Sequence, residues 1–219
     1  MMSCRVIVLA KAPQPGLAKT RFIPILGAAG AARLARGLLE LRIRELARAP
    51  DLEMELWVTP EPSDPAWRAL GLENVTHWRG QGEGDLGQRM ARAAAAALDV
   101  ADGVLLIGTD CPALDCDGIR AAGTALAQHD AVLVPASDGG YVLLGLRRFH
   151  PSLFSDLPWG GSKVAAMTLA RIAALGWSVK VFEALPDIDR PEDLALLPEA
   201  LSEFRIAAGE PERSSDKTI

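Results

Sequence analysis

The sequence predicts an α/β domain with a largely parallel sheet covered by helices on both faces, and three observations support this. Short apolar runs alternate with longer helical stretches along the chain, the pattern of strand–helix–strand units. The runs Arg5 to Ala10 and Gly103 to Gly108 are almost wholly apolar, as strands buried on both faces are. The 219 residues, 49% hydrophobic, suit a single three-layer domain with a sizeable core. That domain is placed at residues 1–207. A polar, charged tail is expected over 208–219.

Taken in order, Arg5 to Ala10 is the first strand. Lys11 to Pro24 is a loop, because prolines remove amide donors and Gly16 permits unusual dihedrals. Ala28 to Ala49 is a helix. Leu34, Leu38 and Leu41 lie on its apolar side, and Arg33, Arg36, Glu40, Arg44 and Arg48 form a solvated stripe in which Glu40 and Arg44 are spaced for a pair. Leu52 to Val58 is a strand of period two, with Trp57 on the opposite face. Asn74 to Arg79 is a weaker strand. Asp85 to Leu98 is a helix that turns Leu86, Met90, Ala93 and Ala97 to one side. Gly103 to Gly108 is the central strand. Ile119 to Gln128 is helical, capped by Asp115 and Asp117. Ala131 to Pro135 and Tyr141 to Leu146 are strands, Val164 to Leu175 a helix, Ser178 to Leu185 a strand and Arg190 to Leu201 a helix.

A formal net charge of -5 argues against a nucleic-acid surface, which needs a basic face. The Val6 to Ala10 run is too short to span a bilayer or to form a leader. The three cysteines, Cys4, Cys111 and Cys116, are too few and too sparse for a disulfide framework or a four-ligand zinc site. A cytoplasmic protein with reduced thiols is expected, with no membrane partner. The oligomeric state is left open.

Ligands of open α/β sheets bind beyond the carboxyl ends of the strands, and the unusual segments all follow strands. Lys11 to Arg21 (K-A-P-Q-P-G-L-A-K-T-R) gathers Lys11, Lys19 and Arg21, which suit a diphosphate or triphosphate. It is not a Walker A loop, because Pro13 and Ala18 stand where that motif needs glycine. In G-T-D-C-P, Asp110 follows the central strand and either holds Mg²⁺ or Mn²⁺ with phosphate oxygens or caps a turn. In D-G-G-Y, Asp138 either meets acceptor hydroxyls or acts as a base, or the segment is an ordinary glycine turn. In D-I-D-R-P-E-D-L, Asp187 and Asp189 point the same way if the segment is extended and are placed to meet Asp110 across a metal. Pro191, Glu192 and Asp193 read as a helix entry. Gln88 and Arg89 either approach a base or phosphate or simply start a helix. The loop around Trp159 either covers an acceptor or caps the next helix.

These segments, in this order, resemble the bacterial glycosyltransferase-like family associated with arsenosugar biosynthesis. The matching motifs are K-A-P-x-P-G-x-x-K-T-R, G-D-L-G-x-R-M, G-x-D-C-P, D-G-G-Y and D-x-D-x-P-E-D-L, spread over about residues 5–195. That family is in turn similar to phospholactate and molybdenum-cofactor guanylyltransferases. The resemblance implies a nucleotide-diphospho-sugar transferase fold of GT-A type, with a mixed, mostly parallel sheet. It implies a metal on Asp110 with Asp189 first and Asp187 second, and catalytic roles for Asp110, Asp138 and Lys19. Nucleotide contacts are implied from Ala10, Lys11, Ala12, Pro13, Gly16, Lys19 and Arg21, joined by Gln88 and Arg89. Acceptor contacts are implied from Asp138, Gly139, Gly140, Tyr141 and Trp159. One departure is that Trp159 is followed by Gly160 and Gly161, where the family often has W-S-T. The expected reaction is glycosyl transfer from a nucleotide sugar to a small-molecule acceptor. The alternatives are nucleotidyl transfer from a nucleoside triphosphate with release of pyrophosphate, and nucleotide binding without turnover.

Overall fold

Among the described residues, seven strands form one sheet in the order β3-β2-β1-β4-β6-β5-β7. The computed structural model describes residues 2–72, 75 and 77–207. The strands are β1 (Cys4–Lys11), β2 (Glu53–Thr59), β3 (Trp78–Gly80), β4 (Gly103–Ile107), β5 (Ala131–Pro135), β6 (Tyr141–Leu146) and β7 (Val179–Val181). The helices are α1 (Ile23–Ala47), α2 (Pro65–Arg68), α3 (Leu86–Leu98), α4 (Cys116–Leu126), α5 (Val164–Ala174) and α6 (Glu203–Ala207). Only β6 runs antiparallel to its neighbours, β4 and β5. The sheet is therefore mixed and mostly parallel, as expected.

Side-chain alternation builds a core on each face. Val6, Val8 and Ala10 of β1, with Leu56 and Val58 of β2 and Leu105 and Ile107 of β4, meet α1, α2 and α4. Ile7, Trp57, Val104 and Leu106 point to the other face and meet α3 and α5. Each fully buried Leu or Ile contributes about 1.5–3 kcal/mol by leaving water. A third cluster joins Leu34 and Leu38 of α1 to Ile188, Leu194, Leu201 and Phe204. It straps the C-terminal segment over α1, and with it the Asp187–Asp189 stretch.

The segment Thr20–Ala47 is long and apolar enough to cross a membrane by length and composition. Its apolar side is committed instead to these two clusters, through Leu34, Leu38, Leu39, Ile43 and Leu46. The helix breaks at Gly27 (φ 66°, ψ 167°), so its regular part begins where the sequence places it.

Several elements differ from the sequence reading. Glu40 pairs with Arg36 at 2.6 Å rather than with Arg44. Leu86 is exposed rather than buried. The helix expected from Ile119 starts at Cys116, capped by Asp115, while Asp117 lies in its first turn and pairs with Arg120. The late strand is only Val179–Val181, with Leu185 making a separate bridge to Ala136. The late helix is instead two 3-10 turns, Pro191–Leu196 and Glu199–Leu201, followed by α6. Pro198 lacks an amide donor and forces Leu197 into extended backbone (ψ 143°). The tail expected at 208–219 and part of the weak strand expected at Asn74 to Arg79 lie outside the described residues.

Candidate active site

The carboxyl ends of β1, β2, β4 and β5, with the start of antiparallel β6, open into a cavity of about 480 Å³. Its wall carries Lys11, Lys19, Asp110, Asp138, Asp187 and Asp189. Four distant stretches of chain therefore meet at the carboxyl end of the sheet.

Lys19 is the hub. Its backbone is left-handed (φ 49°), a conformation that costs a non-glycine residue energy unless its surroundings hold it there. The holding contacts are visible. Nζ lies 3.0 Å from Asp110 Oδ1 and 3.1 Å from Asp189 Oδ1, and it also donates to the Ile188 carbonyl. All three ammonium donors are thus used, and the side chain is only 8% exposed. Burial alone would lower the pKa of Lys19, but the two carboxylates outweigh it and raise the pKa above its ordinary value. The Ile188 amide donates to the Asp110 carbonyl at 2.8 Å, tying the two acidic loops together through the main chain. Arg21 reaches Asp189 Oδ2 at 3.3 Å from outside the cavity wall.

On the other side of Asp189, ligand oxygens of Asp138, Asp187 and Asp189 lie within 4.8 Å of one another. Burial, with the charges of Asp189 and Asp138, pushes the Asp187 carboxyl up to about 6. Asp193 Oδ2 accepts from the amides of Asp189 and Arg190 at 2.9 and 2.7 Å. Its role is therefore at the turn, as the sequence indicates.

The loop after β5 is a turn packed against a neighbouring loop. A Cβ on Gly139 (φ 94°) would overlap the main chain of Ser162, so the missing side chain makes room for a neighbouring loop. The Gly139 carbonyl also accepts from the Ala165 amide at 3.0 Å. Asp138 Oδ1 accepts from the Gly140 amide at 2.8 Å, which fixes the turn while the carboxylate stays exposed. Tyr141 and Trp159 pack edge to face, with centroids 6.3 Å apart. The Tyr141 hydroxyl points inward, 3.9 Å from Met90 Sδ, and burial pushes its pKa up. Tyr141 and Met90 both line the cavity.

Of the expected nucleotide contacts, Ala10, Lys11, Lys19 and Arg89 reach the wall. Ala12 is buried and donates to the Thr59 carbonyl at 2.9 Å. Pro13 and Gly16 shape the turn off the wall, Gly16 at φ 78°. Gln88 is not at the cavity, because its side chain completes the capping box of α3 by accepting from the Asp85 amide at 3.0 Å.

Two residues escaped the sequence reading. Gln81 follows β3 at the same sheet edge and lines the cavity, so the strand-end rule points to it once β3 is placed. Arg42 is 2% exposed and donates to the carbonyls of Cys111, at 2.6 Å, and Leu114. It stands four residues from both Leu38 and Leu46, on the apolar side of α1, and a charge there signals a buried partner.

Among solved structures, the chain is similar to a protein of Desulfovibrio desulfuricans G20 proposed to be a nucleotide-diphospho-sugar transferase. That likeness has a TM-score of 0.85 and 28% identity, and covers 95% of this chain and 97% of that one. It is also similar to 4-diphosphocytidyl-2C-methyl-D-erythritol synthase of Anaerococcus prevotii DSM 20548, with a TM-score of 0.58, 11% identity and 93% and 99% coverage. A cytidylyltransferase of Leptospira borgpetersenii gives a TM-score of 0.57 at 14% identity, with 94% and 93% coverage. The last two likenesses are of fold. The fold is that of the nucleotide-diphospho-sugar transferases. None of the curated proteins matches. The family described as "Uncharacterized protein conserved in bacteria" (DUF2064) matches residues 42–161, more than half of the chain, and the protein belongs to that family.

Proposed function

We propose that the protein is a metal-dependent glycosyltransferase that moves a sugar from a nucleotide-diphospho-sugar donor to a small-molecule acceptor. The observation that carries this reading is the clamp of Lys19 by Asp110 and Asp189 at the cavity wall. It holds a cation, with Lys11 on the same wall, where a diphosphate leaving group gains negative charge. The likeness to the Desulfovibrio protein supports the donor class. The motif resemblance to the arsenosugar-associated family supports a small acceptor, and the free thiols of Cys4, Cys111 and Cys116 support the cytoplasm as its place of action.

The carboxylates suit Mg²⁺ or Mn²⁺, which prefer hard oxygen ligands. Burial raises Asp187, and the charges of Asp189 and Asp138 add to it; that added repulsion is what a bound cation relieves. Asp110, Asp187 and Asp189 are the residues that would hold the ion, and when bound it supplies Lewis-acid stabilisation of the diphosphate. Asp138, close to Asp187 and Asp189 and exposed, accepts the hydrogen of the acceptor hydroxyl and takes its proton as the bond to the sugar forms. The rings of Tyr141 and Trp159 form an apolar wall on that side.

A second reading is nucleotidyl transfer from a nucleoside triphosphate. It is favoured by the cationic loop of Lys11, Lys19 and Arg21, of which Lys11 and Lys19 stand on the cavity wall. The product separates the two: free nucleoside diphosphate means glycosyl transfer, and pyrophosphate means nucleotidyl transfer. A thermal-shift screen of nucleotides and nucleotide sugars, with and without Mn²⁺, should show metal-dependent stabilisation by about 2.7 kcal/mol at 100 times the dissociation constant. Asp110→Ala should remove that stabilisation and nearly abolish turnover while the protein stays folded. Full turnover in that variant would contradict the assigned role.

A further inference from the structure

The geometry points to Gln81 as a specificity-determining residue that reads an exocyclic amino group on the nucleobase; this inference rests on the nucleotide-binding reading above. Gln81 is 4% exposed, yet it lies on the cavity wall. Its main-chain amide donates to the Val58 carbonyl at 2.8 Å, and its own carbonyl accepts from Arg92. Its side-chain Nε2 donates to the carbonyls of Ala10, at 3.0 Å, and Trp57, at 2.8 Å.

Both amide hydrogens are therefore spent on the ends of β1 and β2. A flipped amide would set Oε1 against two carbonyl oxygens, so the orientation is fixed by chemistry. What remains is Oε1, a pure acceptor, with no hydrogen-bond donor among the described residues. Gln81 lines the cavity and Oε1 is not sealed from it, so a donor on a ligand can reach this atom.

The neighbouring wall fits a base. Leu17 and Leu86 line the same cavity although they are 54% and 45% exposed, and large apolar side chains left open beside polar groups suit a flat aromatic ring. Asp110 follows β4, and Asp138, Asp187 and Asp189 lie beyond it, at the β5–β6 turn and in the C-terminal segment. The phosphates belong at the cations, which leaves the β1–β3 side for the base.

An acceptor held in one direction selects among bases. Cytosine, adenine and guanine each carry an amino group whose hydrogens are donors. In uracil and thymine the only comparable donor is a ring N–H flanked by two carbonyl oxygens, which would be carried toward Oε1. The site therefore selects amino-bearing bases against uracil and thymine.

The test uses the wild-type protein with Mn²⁺ and measures dissociation constants for CDP, ADP, GDP, UDP and dTDP by calorimetry. The expected result is that at least one amino-bearing nucleotide binds about tenfold or more tighter than both UDP and dTDP. Its N,N-dimethyl analogue should lose that advantage. In Gln81→Lys the ammonium donates to the same two carbonyls but offers no acceptor, and the preference should vanish in a variant whose melting curve shows it folded. Binding of UDP or dTDP as tight as the best amino-bearing base overturns the Gln81 inference and leaves the nucleotide site standing. Binding of no nucleotide at all overturns both.

Discussion

Arg42 Nη2 donates to the main-chain carbonyl of Cys111 at 2.6 Å, so a side chain of α1 grips the loop that carries Asp110. The same guanidinium reaches Leu114 and Glu45, the latter at 3.0 Å. The loop after the central strand is thus braced from beneath by a buried cation, while Lys19 braces it from the cavity side.

Arg42→Met should therefore cost stability and activity together. It leaves the buried Leu114 carbonyl unpaired, the Cys111 carbonyl with only the Leu114 amide, and Glu45 without its partner, a loss of about 2–4 kcal/mol. For a chain of this size that corresponds to a fall in melting temperature of roughly 4–16 °C, read in a thermal melt. An unchanged melting point would mean that the bonds to Cys111 and Leu114 do not support the loop.

Asp187 gives a pH prediction for the metal-free protein. Its folded-state pKa is about 6, above the ordinary 3.8 of an aspartate, so folding favours its protonated form. Stability from this group is complete below about 4 and is lost as pH rises through 6. Asp187→Asn should leave stability unchanged near pH 4 and raise it at pH 7, by about 1 kcal/mol once solvent screening of a part-exposed group is allowed for. The same variant should weaken Mn²⁺ stabilisation. Denaturant melts at the two pH values check the sign, and a variant less stable than wild type at pH 7 would reverse the electrostatic account.

Gly139→Ala tests the packing of the acceptor-side loop. The new methyl group would overlap the Ser162 main chain at a residue with φ 94°, so strain and collision act together. A loss of about 2 kcal/mol or more is expected, with a weaker Michaelis constant for the acceptor and a smaller change for the donor. Equal effects on both substrates would argue that the Ser162 loop does not border the acceptor.

Much of the fold was legible because it depends on local periodicity. The period-two pattern of Met54, Leu56 and Val58 against Trp57 matches the two cores into which these residues divide. The apolar run Gly103 to Ile107 is the middle strand of the sheet. The late helix failed locally too, because Pro198 interrupts it. Gln88 stayed open between helix start and ligand contact because a glutamine at the third position of a helix serves a cap or a ligand equally well, and only the fold shows it in the capping box.

The sequence by itself determined the strands, their order along the chain and the fact that the charged segments follow them, because apolar spacing and proline or glycine breaks are local properties. Only the tertiary structure decided that Lys19 is shared by Asp110 and Asp189, that Asp138 joins Asp187 and Asp189, and that Arg42 and Gln81 turn inward. Those contacts join residues tens to more than a hundred positions apart, and they depend on how the sheet and the strap over α1 fold back together rather than on any neighbour in the chain.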